Sequence, residues 1–166
     1  MWELYIVRHG IAVDHGTPGI PDDERPLTPK GERRMREVAR GLAALDLPAD
    51  RIASSPLPRA WRTAEIVAEG LGMAGAVEVA DVLRAGGSAR DAADWLALQP
   101  EAPLMIVGHN PALDELLGLL LTGDPSALPF TFKKGAVAAL TRPGGDPDRH
   151  ALLWAAPPRL LRKLSG

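Results

Sequence analysis

Apolar positions along the chain fall into two patterns. Two short unbroken runs, Leu4-Tyr5-Ile6-Val7 and Leu104-Met105-Ile106-Val107, predict strands buried on both faces near the centre of a mostly parallel sheet. Elsewhere the spacing is helical. Met35, Val38, Ala39 and Leu42 recur at i, i+3, i+4 and i+7, behind a Thr28-Pro29 start that supplies an N-cap oxygen and a first-turn proline. Glu32, Arg33, Arg36, Glu37 and Arg40 take the opposite face and keep it wet.

The remaining elements follow the same logic. Arg51-Ile52-Ala53-Ser54 reads as a strand, and Val77-Glu78-Val79 as a short edge strand. Between them a helix points Trp61, Ala64, Val67, Ala68 and Leu71 inward and stops at Gly70 and Gly72. Ser88, with Asp91 three residues on, caps a helix that buries Trp95 and Leu96. Asn110-Pro111 reads as the cap and start of a helix facing inward through Leu113, Leu116, Leu117 and Leu120, and Gly123 closes it. Residues 136–140 and 151–155 form a final hairpin around Pro143-Gly144-Gly145-Asp146-Pro147. Strands alternating with helices predict a three-layer α/β/α sandwich, in one domain over residues 1–166.

Composition narrows the function. The 166 residues carry 19 basic and 21 acidic side chains, a net charge of −2 that gives no general pull toward nucleic acid or acidic lipid. The chain has no cysteine, which excludes disulfides, thiolate catalysis and cysteine-based zinc sites. No signal peptide and no apolar run near the ~20 residues of a membrane span is visible, so the expected location is cytoplasmic.

Chemistry gathers at strand ends. Arg8-His9-Gly10 follows the first apolar run and Gly108-His109-Asn110 the second, at the edge where open α/β sheets bind ligands. Ser55-Pro56-Leu57-Pro58-Arg59 follows the 51–54 strand and puts Arg59 in the first turn of a helix. The helix dipole disfavours a cation there, so a bound anion is the better reason for it. Arginines grip phosphate oxygens bidentately, and a neutral histidine can accept the phosphoryl group covalently. Alone, either histidine would be an ordinary strand-end residue. A metal site of His9, His109 and an aspartate is the competing reading, which the flanking arginines oppose. Ser55 reads as a cap or turn former. Arg25 either lines the site or pairs with Asp22, Asp23 or Glu24. His15 and His150 read as surface loop residues, and Trp61 and Trp95 as core.

Four segments, Leu4-Tyr5-Ile6-Val7-Arg8-His9-Gly10, Arg25-Pro26-Leu27-Thr28-Pro29-Lys30-Gly31, Ser55-Pro56-Leu57-Pro58-Arg59-Ala60 and Val107-Gly108-His109-Asn110-Pro111, resemble the histidine phosphatase superfamily in type and order. The wording around Arg25-Pro26-Leu27-Thr28 is most similar to the SixA-type phosphohistidine phosphatases. The resemblance implies a phosphoglycerate mutase-like fold, with His9 as the phosphorylated nucleophile and Arg8, Arg59 and His109 holding the phosphate. Ser55 and Arg25 join them as candidate substrate contacts. It implies no metal and no organic cofactor.

The sequence departs from the family at one point. Many relatives carry a proton-donating acid after the third strand, where this chain reads Asp81-Val82-Leu83-Arg84-Ala85-Gly86-Gly87. Asp81 precedes the expected place and Asp91 follows it. An alkoxide needs a general acid to leave, whereas imidazole from protonated phosphohistidine departs neutral. The expected substrate is therefore phosphohistidine on a signalling or phosphotransfer protein. The alternatives are a small-molecule phosphomonoesterase on the same site and a non-catalytic phosphate-binding interaction module. A mutase fits less well, since the chain is short of room for a capping insertion. Loops 10–27 and 81–91 are the candidate lids. Oligomeric state is not legible.

Overall fold

The structure is a computed structural model and describes residues 2–166. One six-stranded sheet runs through it in the order β3-β2-β4-β1-β5-β6. Its strands are β1 (Glu3–Arg8), β2 (Arg51–Ser54), β3 (Val77–Val79), β4 (Leu104–Gly108), β5 (Val137–Thr141) and β6 (Ala151–Ala156). The β3-β2, β2-β4 and β4-β1 pairs are parallel; β1-β5 and β5-β6 are antiparallel. Five helices cover it: α1 (Pro29–Ala44), α2 (Pro58–Gly70), α3 (Ala89–Ala97), α4 (Ala112–Thr122) and α5 (Pro158–Lys163).

The two unbroken apolar runs are central because both of their faces meet helices. Leu4, Ile6, Leu104 and Ile106 point into one core, together with Leu96 of α3 and Leu113, Leu116 and Leu117 of α4. Tyr5, Val7, Met105 and Val107 point into the other, with Met35, Val38 and Leu42 of α1 and Val67 of α2. Alternation at period two thus feeds both layers. Each such buried side chain contributes roughly 1.5–3 kcal/mol against exposure.

Local signals behave as the sequence implies. Thr28 Oγ1 accepts from the Gly31 N–H at 2.9 Å, and Ser88 Oγ from the Asp91 N–H at 3.3 Å. Gly123 closes α4 with φ +79°. Helix α5 has no clear sequence signal. It packs on α1 where Gly41 allows it: a Cβ there would sit 2.0 Å from the Leu161 carbonyl oxygen.

Three placements differ from the sequence reading. Trp61 is only half-buried, and its indole N–H donates to Glu65; the neighbouring Ala60, Thr63 and Ala64 are the buried members of that stretch. Trp95 likewise packs at the margin of its core. Asn110 does not cap α4 with its side chain: its amide N–H donates to the Phe132 carbonyl, and its Oδ1, the atom a cap would use, is buried without a hydrogen-bond partner among the described residues. No helix among the described residues is long and apolar enough to cross a membrane.

Candidate active site

Topology brings the strand-end residues together. From β1 the chain crosses toward β2 through α1; from β4 it crosses the other way, toward β5, through α4. The β1/β4 boundary is therefore the point where strand order reverses, the place where open sheets form their ligand crevice. Register completes the alignment. Arg8 pairs with Gly108, the His9 N–H donates to the Gly108 carbonyl, and the Ser55 N–H donates to the Val107 carbonyl. His9, His109 and Ser55 thus leave three adjacent strands at one level. The two imidazole rings lie 5.1 Å apart.

A cleft of about 310 Å³ opens here. Arg8, His9, Arg25, Arg59 and His109 line it, joined by Asp14, His15, Asp22, Ala85, Asn110 and Lys134. Ser55 lies beneath rather than in the lining, hydrogen-bonded through Oγ to His109 Nε2 at 2.8 Å.

Each cation is held by the backbone around it. Arg8 Nη1 donates to the Phe132 carbonyl at 2.7 Å, which also receives the Asn110 amide at 3.1 Å. The Phe132 N–H in turn donates to Asp114 of α4 at 2.8 Å. Arg59 is 2 % exposed, and its Nη1 donates to the Asp22 carbonyl at 2.8 Å. Nε of Arg8 and Nε of Arg59 are buried without a hydrogen-bond partner among the described residues. Burial lowers both guanidinium pKa values, yet an arginine remains cationic. Two guanidiniums with donors to spare suit an incoming anion.

The histidines are neutral at pH 7. Burial pushes His9 down to about 3, with His109, Arg59 and Arg8 pushing the same way. Burial and then Arg59 bring His109 to about 3 as well. His9 Nδ1 lies 2.7 Å from the Gly10 carbonyl, which can only accept, so Nδ1 carries the proton. The lone pair is then on Nε2, the nucleophilic nitrogen of a neutral ring. The Gly10 N–H is tied to Thr63 Oγ1 at 3.0 Å, and that hydroxyl donates to the Arg59 carbonyl at 2.7 Å. Thr63 couples the His9 loop to the Arg59 helix; the sequence pattern did not single it out.

The 10–27 loop forms one wall. Arg25 satisfies both readings open to it, since it lines the cleft while Nε donates to Asp22 at 2.8 Å and Nη1 to the Val13 carbonyl at 2.8 Å. Asp22 also meets His15 Nδ1 at 2.7 Å and lies 3.7 Å from Arg59 Nη2. His15, Arg25 and Arg59 hold its carboxyl down near 2, so it is ionised. His15 is an exposed loop residue, as the sequence implies, and it also borders the cleft. His150 is no simple surface residue: it stacks edge-on to Trp2 at 5.3 Å at the far end of the sheet.

Asp81 and Asp91 stay outside the cleft. Asp81 pairs with Arg84 at the surface, and Asp91 is exposed in the first turn of α3; Ala85 is the residue of that loop that lines the site. Among the described residues, no three histidine, aspartate or glutamate side chains converge closely enough to hold a metal ion.

Known proteins are similar to this chain in sequence and fold. The model of the histidine phosphatase superfamily, branch 1, matches residues 4–85. An uncharacterised protein of Picosynechococcus sp. is 36% identical over 96% of this chain and 99% of its own length. The protein histidine phosphatase SixA, solved with tungstate, superposes with a TM-score of 0.83 at 26% identity, over 96% of this chain and 99% of its own. A phosphoglycerate mutase of Bacillus anthracis shares the fold at TM-score 0.76 and 15% identity, over 99% and 97%. By sequence, fold and relatives, this chain belongs to the histidine phosphatase superfamily, and within it is similar to the SixA phosphatases.

Proposed function

We propose that the protein is a phosphohistidine phosphatase that works through a phospho-His9 intermediate. The observation that carries this is the state of His9: a buried neutral ring, its Nδ1 proton committed to the Gly10 carbonyl, beside Arg8, Arg59 and His109. Nε2 of His9 attacks phosphorus in line with the departing nitrogen. The N–P bond of the substrate breaks, and its imidazole leaves neutral if its other nitrogen is protonated. Arg8, Arg59 and His109 hold the phosphoryl oxygens, where charge must be stabilised. Water then attacks phospho-His9. Its Nε2–P bond breaks, phosphate is released, and His9 returns to the Nδ1–H form.

Two observations support a P–N substrate. The 81–87 loop brings Ala85, not an acid, to the cleft, and Asp22 is held ionised and so donates poorly. The likeness to SixA spans nearly the whole chain. Asp14 favours a second reading: its carboxyl group lies exposed on the cleft wall, in place to serve as general acid for an alkoxide leaving from a small phosphomonoester.

A substrate panel decides between them. Phosphohistidine and phosphoramidate are expected to turn over well ahead of serine or sugar phosphates, with Asp14→Asn leaving the P–N rates unchanged. Equal rates on alkyl esters, lost in Asp14→Asn, would establish the phosphomonoesterase instead. His9→Ala is expected to abolish turnover, and acid-labile phosphate should be trapped on His9 in a quenched reaction. A fully active His9→Ala variant would end the proposal.

A further inference from the structure

The hydrogen-bonding capacity around Ser55 constrains where the His109 proton sits. Ser55 is fully buried, and its hydroxyl has one proton and two lone pairs. The Leu57 N–H takes one lone pair at 3.3 Å. The next polar contact of Oγ is His109 Nε2 at 2.8 Å. If Nε2 carried the ring proton, it would donate to the second lone pair. The serine proton would then be buried with no acceptor among the described residues, an unfavourable state. If Nε2 is bare, the serine proton fills it, the Leu57 N–H keeps its lone pair, and only the second lone pair is left over, a milder loss than a buried donor with no acceptor.

The other ring nitrogen gives a second, independent indication. His109 Nδ1 is buried and has no partner among the described residues, although its ring lines the cleft. A bare Nδ1 would present a lone pair toward phosphoryl oxygens and repel them. A protonated Nδ1 would donate to them.

We propose that Ser55 is a positioning residue that fixes the His109 tautomer: its hydroxyl donates to Nε2, keeps the single ring proton on Nδ1, and so makes His109 a neutral donor to the phosphoryl group. The two histidines then share one tautomer and use opposite ends of it. His9 attacks through its bare Nε2, and His109 donates through its Nδ1–H. Ser55 touches neither phosphorus nor substrate in this scheme. It acts through His109, as the outer partners of catalytic and metal-bound histidines act through theirs.

The inference rests on the reading of His109 as a phosphate contact, but its test does not depend on turnover. The full chain, labelled with nitrogen-15 in histidine, is examined at pH 7 by long-range proton–nitrogen correlation, with the His109 signals assigned from a His109→Asn variant. The expected wild-type result is a protonated Nδ1 and a bare Nε2. Ser55→Ala should mix the two tautomers and lower kcat/KM by about 10–100-fold, the range seen when partners orienting a histidine are removed. Ser55→Thr, which keeps the hydroxyl, should restore the Nδ1–H signature. A wild-type His109 protonated on Nε2 would overturn the proposal, as would a Ser55→Ala protein that keeps a pure Nδ1–H ring. If Ser55→Ala does not fold, the wild-type spectrum decides alone. Turnover by His9→Ala would sink the phosphatase reading while leaving this spectrum unchanged.

Discussion

Taking the protein from pH 7 to pH 5 is expected to cost about 4 kcal/mol of folding stability, chiefly through His9 and His109. In the unfolded chain each imidazole binds its proton near pH 6.5. In the fold, burial holds both off until about 3. The unfolded chain therefore binds more protons throughout the window between those values, and stability falls as pH drops through it. Linkage over two pH units gives about 2 kcal/mol per ring, hence about 4 for the pair. Both side chains are almost fully buried, at 5 % and 3 % exposure, so solvent screening removes little of this. His150, whose pKa is also lowered by burial, pushes in the same direction. The depressed carboxylates Asp22 and Glu32 lose their contribution only at lower pH, which leaves the 7-to-5 window to histidine. The assay is urea unfolding at pH 7, 6 and 5 in phosphate-free buffer. His9→Asn and His109→Asn should each remove about half of the dependence. A wild-type stability that changes by less than about 1 kcal/mol between pH 7 and 5 would refute the burial argument.

Other consequences are equally direct. Arg59→Ala should reduce kcat/KM by about 10–100-fold, the worth of a charged hydrogen bond of about 1.5–3 kcal/mol, and Arg59→Lys should recover little because an ammonium lacks the fork; steady-state kinetics on a phosphoramidate measures it. Asp22→Asn removes a negative charge 3.7 Å from Arg59 Nη2, and inorganic phosphate should then inhibit about fivefold more tightly, matching about 1 kcal/mol for a partly exposed pair. An unchanged inhibition constant would detach Asp22 from the anion site. Gly41→Ala should destabilise the fold by about 1–3 kcal/mol or more, because its new Cβ would strike the Leu161 carbonyl and lift α5 from α1; a thermal melt within a degree of wild type would contradict that packing.

Much of the framework was legible because it follows from short-range physics. Period-two burial, the caps at Thr28 and Ser88, and the Gly123 stop depend on residues within one or two turns of each other. The strand-end position of His9 and His109 was legible for the same reason. What failed in the sequence was whatever depended on distant partners. Trp61 looks like core from its spacing, but the packing of α2 in the fold buries Ala60, Thr63 and Ala64 and leaves Trp61 half-buried, with its indole N–H on Glu65 one turn away. Asn110 looks like a cap, yet its side chain reaches the Phe132 carbonyl of a loop more than twenty residues away and its Oδ1 takes no helix N–H. His15 shows no helical or strand pattern at all, and only the path of the 10–27 loop sets it against Asp22 in the cleft.

The sequence by itself determined the alternation of strands and helices, the apolar faces, and a set of phosphate-competent residue types at strand ends. The tertiary structure alone decided that β1 and β4 lie side by side with their crossovers running in opposite directions, which places two histidines 100 residues apart within one ring contact. It also decided their chemistry. Burial, which no residue carries in its own identity, keeps both imidazoles neutral; Gly10 and Ser55 supply the partners that distinguish one ring nitrogen from the other.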